Sequence, residues 1–135
     1  MANTINKEGE RMMVKKHYSI AVIDDDDLFR RTTATVLSRK MKQNVLSFQS
    51  GEDAFDHLEK LNGIDVILSD INMPGMNGLE FLEKVKKQYP RKICILMSGY
   101  PGNEDTALKR GADGYISKPF TLRKLSELMS TLNLN

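Results

Sequence analysis

Short apolar runs alternate with amphipathic segments along most of the chain, and this alternation restricts the fold more than any other feature. Several runs are nearly all apolar and rich in Val and Ile, which is typical of strands covered on both faces. The predicted strands are 18–24, 45–49, 64–70, 93–97 and 114–117. The predicted helices are 28–41, 52–61, 79–88, 103–110 and 122–132.

Five strands that alternate with five helices predict an α/β fold, a doubly wound parallel sheet with right-handed crossovers. The 135 residues suffice for one domain, and 40% hydrophobic content is enough for a packed core. We expect residues 18–132 to form the domain and residues 1–17 to be a flexible N-terminal extension. A net charge of +2, spread along the chain, does not require direct contact with nucleic acid. No run approaches the ~20 apolar residues of a membrane span.

An acidic cluster, Asp24 to Asp27, directly follows the first predicted strand. Neighbouring carboxylates repel by a few kcal/mol per pair at ~4 Å under protein-like screening. A helix cap explains Asp26 or Asp27, but it explains less well why Asp24 and Asp25 stand at the strand end. Oxygen ligands with one or two carboxylates are the expected environment of Mg2+, so we expect a cation here.

The other strand ends carry polar side chains as well. Asp70 ends the third strand, Ser98 follows the fourth and Lys118 follows the fifth. Ligands of such sheets bind outside the carboxyl ends of the strands, so these groups are expected to meet in one site. In the first predicted helix, we expect Leu28 to face the core and Arg30 to lie on a solvated face.

The motifs at these strand ends also carry a family resemblance. They are Val22-Ile23-Asp24-Asp25, Ser69-Asp70-Ile71-Asn72-Met73-Pro74, Met76-Asn77-Gly78, Met97-Ser98-Gly99 and Lys118-Pro119-Phe120. Because these motifs occur in this order, the chain resembles the receiver domain of bacterial response regulators from about residue 18 to about residue 132. The resemblance implies a flavodoxin-like sheet of order 2-1-3-4-5 with five helices, a cytoplasmic location and a phosphoacceptor switch in two-component signal transduction.

The resemblance also assigns roles to the residues of the predicted site. Asp70 would be the phosphoacceptor and form an acyl phosphate. Asp24 and Asp25 would hold Mg2+ together with Asp70 and the backbone carbonyl of Asn72. Lys118 would pair with one phosphoryl oxygen. The chain would thus catalyse its own phosphorylation and dephosphorylation without being an enzyme in the usual sense.

The switch is also expected from the resemblance. Ser98 would donate a hydrogen bond to another phosphoryl oxygen, and Tyr115 would occupy the space that Ser98 vacates. The change would be read on the surface of helix four, strand five and helix five. Asn72 and Tyr100 would gate the water that hydrolyses the acyl phosphate. The bond between Lys118 and Pro119 is expected to be cis.

The implied phosphoryl donor is a sensor histidine kinase or a phosphotransfer protein, whereas the downstream effector stays open. A phosphorylation-dependent dimer is compatible with the resemblance. However, residues 98–118 look shorter than usual for the family, so we expect a short or delayed helix four and an altered dimer or partner geometry.

Two other functions remain as alternatives. A haloacid-dehalogenase-like phosphatase would use the Asp-x-Asp pattern of Asp24 and Asp26, but that family needs a further acidic pair after Lys118, and none follows. A receiver-like interaction module without phosphorylation typically lacks an acid or the lysine, whereas Asp70 and Lys118 are both present here.

Overall fold

Five parallel strands form one sheet in the part of the chain that the computed structural model describes, residues 17–61 and 63–132. The strands are β1 (Ser19–Ile23), β2 (Asn44–Phe48), β3 (Val66–Asp70), β4 (Ile93–Ser98) and β5 (Gly114–Ser117). Their order is β2-β1-β3-β4-β5, so the predicted fold class and strand order are confirmed. The sheet order reverses beside β1, which places the ends of β1 and β3 next to each other.

The helices lie between the strands, as the hydropathy pattern predicts. They are α1 (Asp27–Thr35), α2 (Gly51–Leu61), α3 (Gly78–Gln88), α4 (Asn103–Lys109) and α5 (Leu122–Thr131). The predicted first helix, 28–41, is α-helical only to Thr35 and continues as a π-helical segment, Val36–Lys40. Helix α4 has 7 residues, so the expectation of a short fourth helix is confirmed.

Polar caps start three of these helices directly after loops at the carboxyl end of the sheet. The Asp26 carboxylate accepts a hydrogen bond from the backbone N–H of Phe29 at 3.1 Å and caps α1. Asn77 forms a capping box with Glu80 at α3, and Thr121 caps α5. These caps satisfy backbone donors that have no partner within a helix, and so fix where each loop ends.

The core has two layers, one on each face of the sheet. Side chains of α2, α3 and α4 pack on one face, against alternate strand residues such as Ala21 and Ile67. The π-helical segment and α5 pack on the other face, against Val22 and Leu68. The alternation follows from the two-residue period of a strand. Strand β2 differs because it forms the sheet edge and has no buried residue.

The expected core position of Leu28 is wrong. Its side chain is 76% exposed, whereas Arg30 and Thr33 are the buried residues of α1. A helix turns by about 100° per residue, so Leu28 lies almost opposite Arg30. Leu37, seven residues after Arg30, returns to the same face and is 1% exposed.

The N-terminal extension predicted for residues 1–17 lies outside the described residues, except for His17. The imidazole Nδ1 of His17 lies 2.8 Å from the backbone oxygen of Lys42. Among the described residues, no helix has both the length and the apolar character needed to cross a bilayer.

Candidate functional site

The ends of β1, β3, β4 and β5 open into one cleft of about 480 Å³. The cleft is lined by Asp24, Asp25, Asp26, Phe29, Asp70, Asn72, Gly99, Tyr100, Lys118 and Pro119. The structure thus brings together six of the eight residues that the sequence singles out. Ser98 is buried beside the cleft, where its hydroxyl contacts Asn72. Tyr115 does not line the cleft, because it is half-buried on the core face shared with α2 and α3.

Three carboxylates lie close enough to share a cation. Asp24, Asp25 and Asp70 each offer an oxygen, and these oxygens all lie within 4.8 Å of one another. Oxygen ligands of Mg2+ stand at about 2.0–2.1 Å from the ion, so the carboxylates would move closer together around a bound cation. Asp24 and Asp70 are buried, whereas Asp25 is exposed at the rim. The donor set therefore fits a hard divalent cation reached from solvent.

One ammonium bridges the two buried acids. Lys118 Nζ donates to Asp24 Oδ2 at 2.9 Å and to Asp70 Oδ1 at 3.3 Å. Burial opposes its charge, but the hydrogen bond to Asp24 and the charge of Asp70 outweigh burial and raise the pKa of Lys118 above its usual value. The ammonium therefore stays charged at neutral pH. Even so, the carboxylates outnumber the cations in the cleft.

The excess of negative charge affects the pKa of Asp70. Burial and the neighbouring charge of Asp24 raise the pKa of Asp70 to about 6, although Lys118 acts in the opposite direction. Removal from water disfavours the ionised form of a carboxyl group, and a second carboxylate adds to the effect. Asp70 is therefore an acid whose anion is costly in the folded protein and would be stabilised by a further cation.

An aromatic ring lies against the ammonium group of Lys118. Lys118 Nζ lies 4.3 Å from the ring centroid of Phe29, within cation–π distance. Phe29 also packs edge-on against Phe120 at 5.6 Å. The peptide bond between Lys118 and Pro119 is cis, as predicted. Sequence reasoning missed Phe29, because nothing in its spacing distinguishes it from a core aromatic.

The predicted solvated position of Arg30 is wrong. Its side chain is buried; Nη1 donates to the backbone oxygen of Asp24 at 2.8 Å, and Nη2 donates to the carboxylate of Asp27. The carbonyl of Asp24 faces α1 and needs a donor, which draws the guanidinium inwards. Arg30 therefore ties together the loop that carries the acids. The spacing of Asp27 and Arg30, three residues apart on a helix, is the signal that could have revealed it.

Ser98 belongs to a small polar network. Its hydroxyl donates to Asn72 Oδ1 at 3.3 Å and accepts from the backbone N–H of Tyr100 at 3.0 Å. It also accepts from Asn103 Nδ2 at 2.8 Å, a contact that sequence reasoning did not foresee. The ring of Tyr100 is 64% exposed at the rim of the cleft. The two residues predicted as a gate thus both contact Ser98, one through its side chain and one through its backbone.

The loop after β3 is fixed by a glycine and a glutamate. A Cβ atom at Gly78 would lie 2.2 Å from the backbone oxygen of Asp70, so no larger residue fits there. The Glu52 carboxylate accepts a hydrogen bond from the backbone N–H of Met76 at 3.2 Å. These contacts return the chain tightly over the end of β3 and hold Asn72 beside Asp70.

Comparisons with known proteins identify the family of this chain. The family model described as the response regulator receiver domain matches residues 20–130. The chemotaxis protein CheY homolog of Campylobacter jejuni is 38% identical over 112 residues, which cover 80% of this chain and 86% of that protein. The nitrate/nitrite response regulator protein NarL of Escherichia coli is 40% identical over 103 residues, which cover 74% of this chain and 47% of NarL.

Solved structures give the same result. The crystal structure of a response regulator receiver domain protein from Clostridium thermocellum has a TM-score of 0.77 and 29% sequence identity. The alignment covers 85% of this chain and 93% of that one. The chain therefore belongs to the response regulator receiver domain family, whose members are phosphoacceptor switches of two-component signalling.

Proposed function

We propose that the chain accepts a phosphoryl group on Asp70 and that Mg2+ assists the transfer. The observation that carries this proposal is the position of Lys118, whose ammonium bridges Asp24 and Asp70 at the rim of a three-carboxylate cluster. Buried acids in excess over cations are a cost to a fold, and a bound divalent cation relieves it. No observation in residues 17–61 and 63–132 favours the haloacid-dehalogenase alternative.

The transfer itself follows from the groups present. A carboxylate oxygen of Asp70 attacks phosphorus, an acyl phosphate bond forms, and the bond from phosphorus to the donor nitrogen breaks. The donor imidazole leaves with the electron pair of that bond and takes a proton from solvent. Lys118 moves its ammonium from the carboxylate of Asp70 to a phosphoryl oxygen and so keeps its charge paired.

The metal ligands are proposed as Asp24, Asp25, Asp70 and the backbone carbonyl of Asn72. When bound, Mg2+ would offset the negative charge that accumulates as carboxylate and phosphoryl group approach. Arg30 contributes indirectly, since it holds the carbonyl of Asp24 and thereby the loop of the acid pair. Exposed Asp25 gives the cation a path from solvent.

The switch is proposed to run from Ser98 to Tyr115. Ser98 would donate to a second phosphoryl oxygen, and Tyr115 would move towards the vacated space. The two residues lie on neighbouring strands, and the backbone N–H of Lys118 donates to the backbone oxygen of Ser98 at 2.8 Å. This contact supports a link from the site to the surface formed by α4, β5 and α5. Asn72 and Tyr100 would control access of the hydrolytic water.

The family implies a phosphorylated donor protein, and we propose a sensor histidine kinase or a phosphotransfer protein in that role. We propose a cytoplasmic location, in agreement with a lone, buried and unpaired Cys94 among the described residues. Residues 18–132 would form the receiver and residues 1–17 the extension. A phosphorylation-dependent dimer is a further part of the proposal.

The proposal is tested by intact-mass measurement after incubation with phosphoramidate and Mg2+. Wild type is expected to gain one phosphoryl group, and Asp70→Asn is expected to gain none. Asp53→Asn is a matched control, because Asp53 is an exposed aspartate on α2, outside the cleft. Chelation of Mg2+ should suppress labelling of wild type and control alike. Undiminished labelling of Asp70→Asn would overturn the assignment.

A further inference from the structure

The hydroxyl of Ser98 has no free hydrogen-bonding capacity. A serine hydroxyl has one proton to donate and two lone pairs that accept. Here the proton goes to Asn72 Oδ1, while the lone pairs accept from the Tyr100 backbone N–H and from Asn103 Nδ2. Ser98 is 1% exposed, so water does not compete for these positions. The hydroxyl is therefore held in one orientation by three partners.

The shortest of these hydrogen bonds comes from a helix. Asn103 is the first residue of α4, and its carboxamide reaches back over the loop to Ser98 at 2.8 Å. The loop between them contains Gly99 and Gly102, and Gly102 has a φ of 89°, which favours glycine. A Cβ atom at Gly99 would meet nothing within 4 Å. The side chain of Asn103 thus links α4 to the end of β4, across a loop that begins and ends with glycine.

A conflict arises when a phosphoryl group is present. Ser98 has only one proton, and it cannot donate that proton to a phosphoryl oxygen and to Asn72 at once. Rotation of the side chain to a new staggered orientation moves the oxygen away from Asn103 as well. The donor bond to Asn72 is the longest of the three, at 3.3 Å, so the bond from Asn103 is the stronger restraint.

We propose that Asn103 is a positioning residue that holds Ser98 in its resting orientation. The hydrogen bond from Asn103, on α4, to Ser98 must then break before the phosphorylated state can form. This inference rests on the proposal that Asp70 accepts the phosphoryl group. Ser98 then couples the site to α4 directly, since its turning frees the first side chain of that helix. The strength of the tie sets how readily the protein is phosphorylated.

The expected effect is that of one hydrogen bond. Loss of the Asn103 donor should lower the phosphoramidate concentration that half-labels the protein by about 3- to 10-fold, the range of one net hydrogen bond. The variants are Asn103→Ala and Asn103→Leu, the second of which keeps the side-chain volume. Asp105→Asn is the matched control, because Asp105 lies on α4 and pairs with Lys109 at 3.0 Å without contact to Ser98.

The decisive comparison repeats both substitutions in a Ser98→Ala background. If Asn103 acts through the serine hydroxyl, it should have no effect where the hydroxyl is absent, and the double-mutant cycle should give a coupling equal to the single effect. Intact mass gives the labelled fraction, and far-UV circular dichroism gives the helix content of each variant. Equal gains with and without the hydroxyl would overturn the inference.

Three further results would also contradict it. Unchanged or weaker labelling of both Asn103 variants would show that the residue does not restrain the resting state. A gain that follows lost helix content, or that Asp105→Asn reproduces, would assign the effect to α4 as a whole. Absence of labelling in wild type would overturn the proposed function, and the present inference with it, whereas labelled wild type with unaltered Asn103 variants overturns the inference alone.

Discussion

Charged side chains are paired at the amino end of the sheet, whereas carboxylates are in excess at its carboxyl end. At the amino end, just before β5, Asp113 Oδ2 accepts from Lys86 Nζ at 2.6 Å and from the backbone N–H of Cys94 at 2.8 Å. Lys86 also donates to the backbone oxygen of Lys92. Asp65 accepts from the backbone N–H of Ser19 at 3.0 Å. Asp113, Lys86 and Asp65 are thus each paired with a group that belongs to the fold.

At the carboxyl end, three carboxylates cluster together, and the one ammonium beside them contacts only the two that are buried, Asp24 and Asp70. The pKa of Asp70 is raised to about 6 by burial and by Asp24, which shows that its anion is poorly compensated. The amino end stabilises the structure, whereas the carboxyl end costs stability unless a cation is bound. Unbalanced buried charge therefore marks the functional end of this sheet.

The largest difference is expected between two lysine substitutions. Lys118→Met leaves two buried carboxylates without their cation, so the free energy of unfolding should fall by about 3 kcal/mol at pH 7. Labelling of Asp70 should fall by about 100-fold or more, since the phosphoryl charge is then unpaired. Lys86→Met, at the partly exposed pair with Asp113, should cost about 1 kcal/mol and leave labelling unchanged. Urea denaturation and intact mass give both quantities, and equal losses for the two variants would remove the distinction.

A smaller difference concerns the metal. Asp25→Ala should reduce Mg2+ affinity to below detection and leave the fold as stable as wild type or more so, because an exposed carboxylate is removed from a repulsive cluster. Isothermal titration with Mg2+ and thermal unfolding measure the two effects. Asp53→Asn, an exposed aspartate outside the cluster, should titrate like wild type. Identical Mg2+ curves for wild type and Asp25→Ala would refute the assignment of the metal ligand.

The smallest expected effect lies in the lifetime of the acyl phosphate. Tyr100→Ala and Asn72→Ala should still be labelled on Asp70, but their dephosphorylation half-lives should differ from that of wild type by a few-fold. The bulky Tyr100 ring would shield the phosphoryl group, whereas Asn72 is small and polar. The decay of labelled protein after removal of the donor measures the rate. Wild-type half-lives for both variants would mean that no gate operates here.

The sequence predicted the fold and most of the cleft, because strand ends are visible as polar residues after apolar runs. Asp24, Asp70 and Lys118 could be placed together in this way. Phe29 and Asn103 could not, since each acts through a partner on another element, and the spacing of Asp27 and Arg30 was the one visible signal for Arg30. The exposure of Leu28 was mispredicted because Arg30, which donates to the backbone oxygen of Asp24, occupies the buried side of α1 and leaves Leu28 on the opposite side.

The most direct measurement compares Asp70→Asn with Asp113→Asn in metal-free buffer. The folded-state pKa of Asp70 lies above its ordinary value of 3.8, so the stability that protonated Asp70 contributes is fully present below about pH 4 and is lost as the pH rises through about 6. Asp70→Asn should therefore raise the free energy of unfolding by about 1–3 kcal/mol at pH 7 and give little gain at pH 4.

Asp113→Asn should lower the free energy of unfolding by about 1 kcal/mol at pH 7, since it weakens the contacts to Lys86 and Cys94. Urea denaturation of wild type and both variants at pH 7 measures the two signs. Opposite signs are the result that this account predicts. A loss of stability in Asp70→Asn at pH 7 would contradict the claim that the carboxyl end of the sheet carries uncompensated charge.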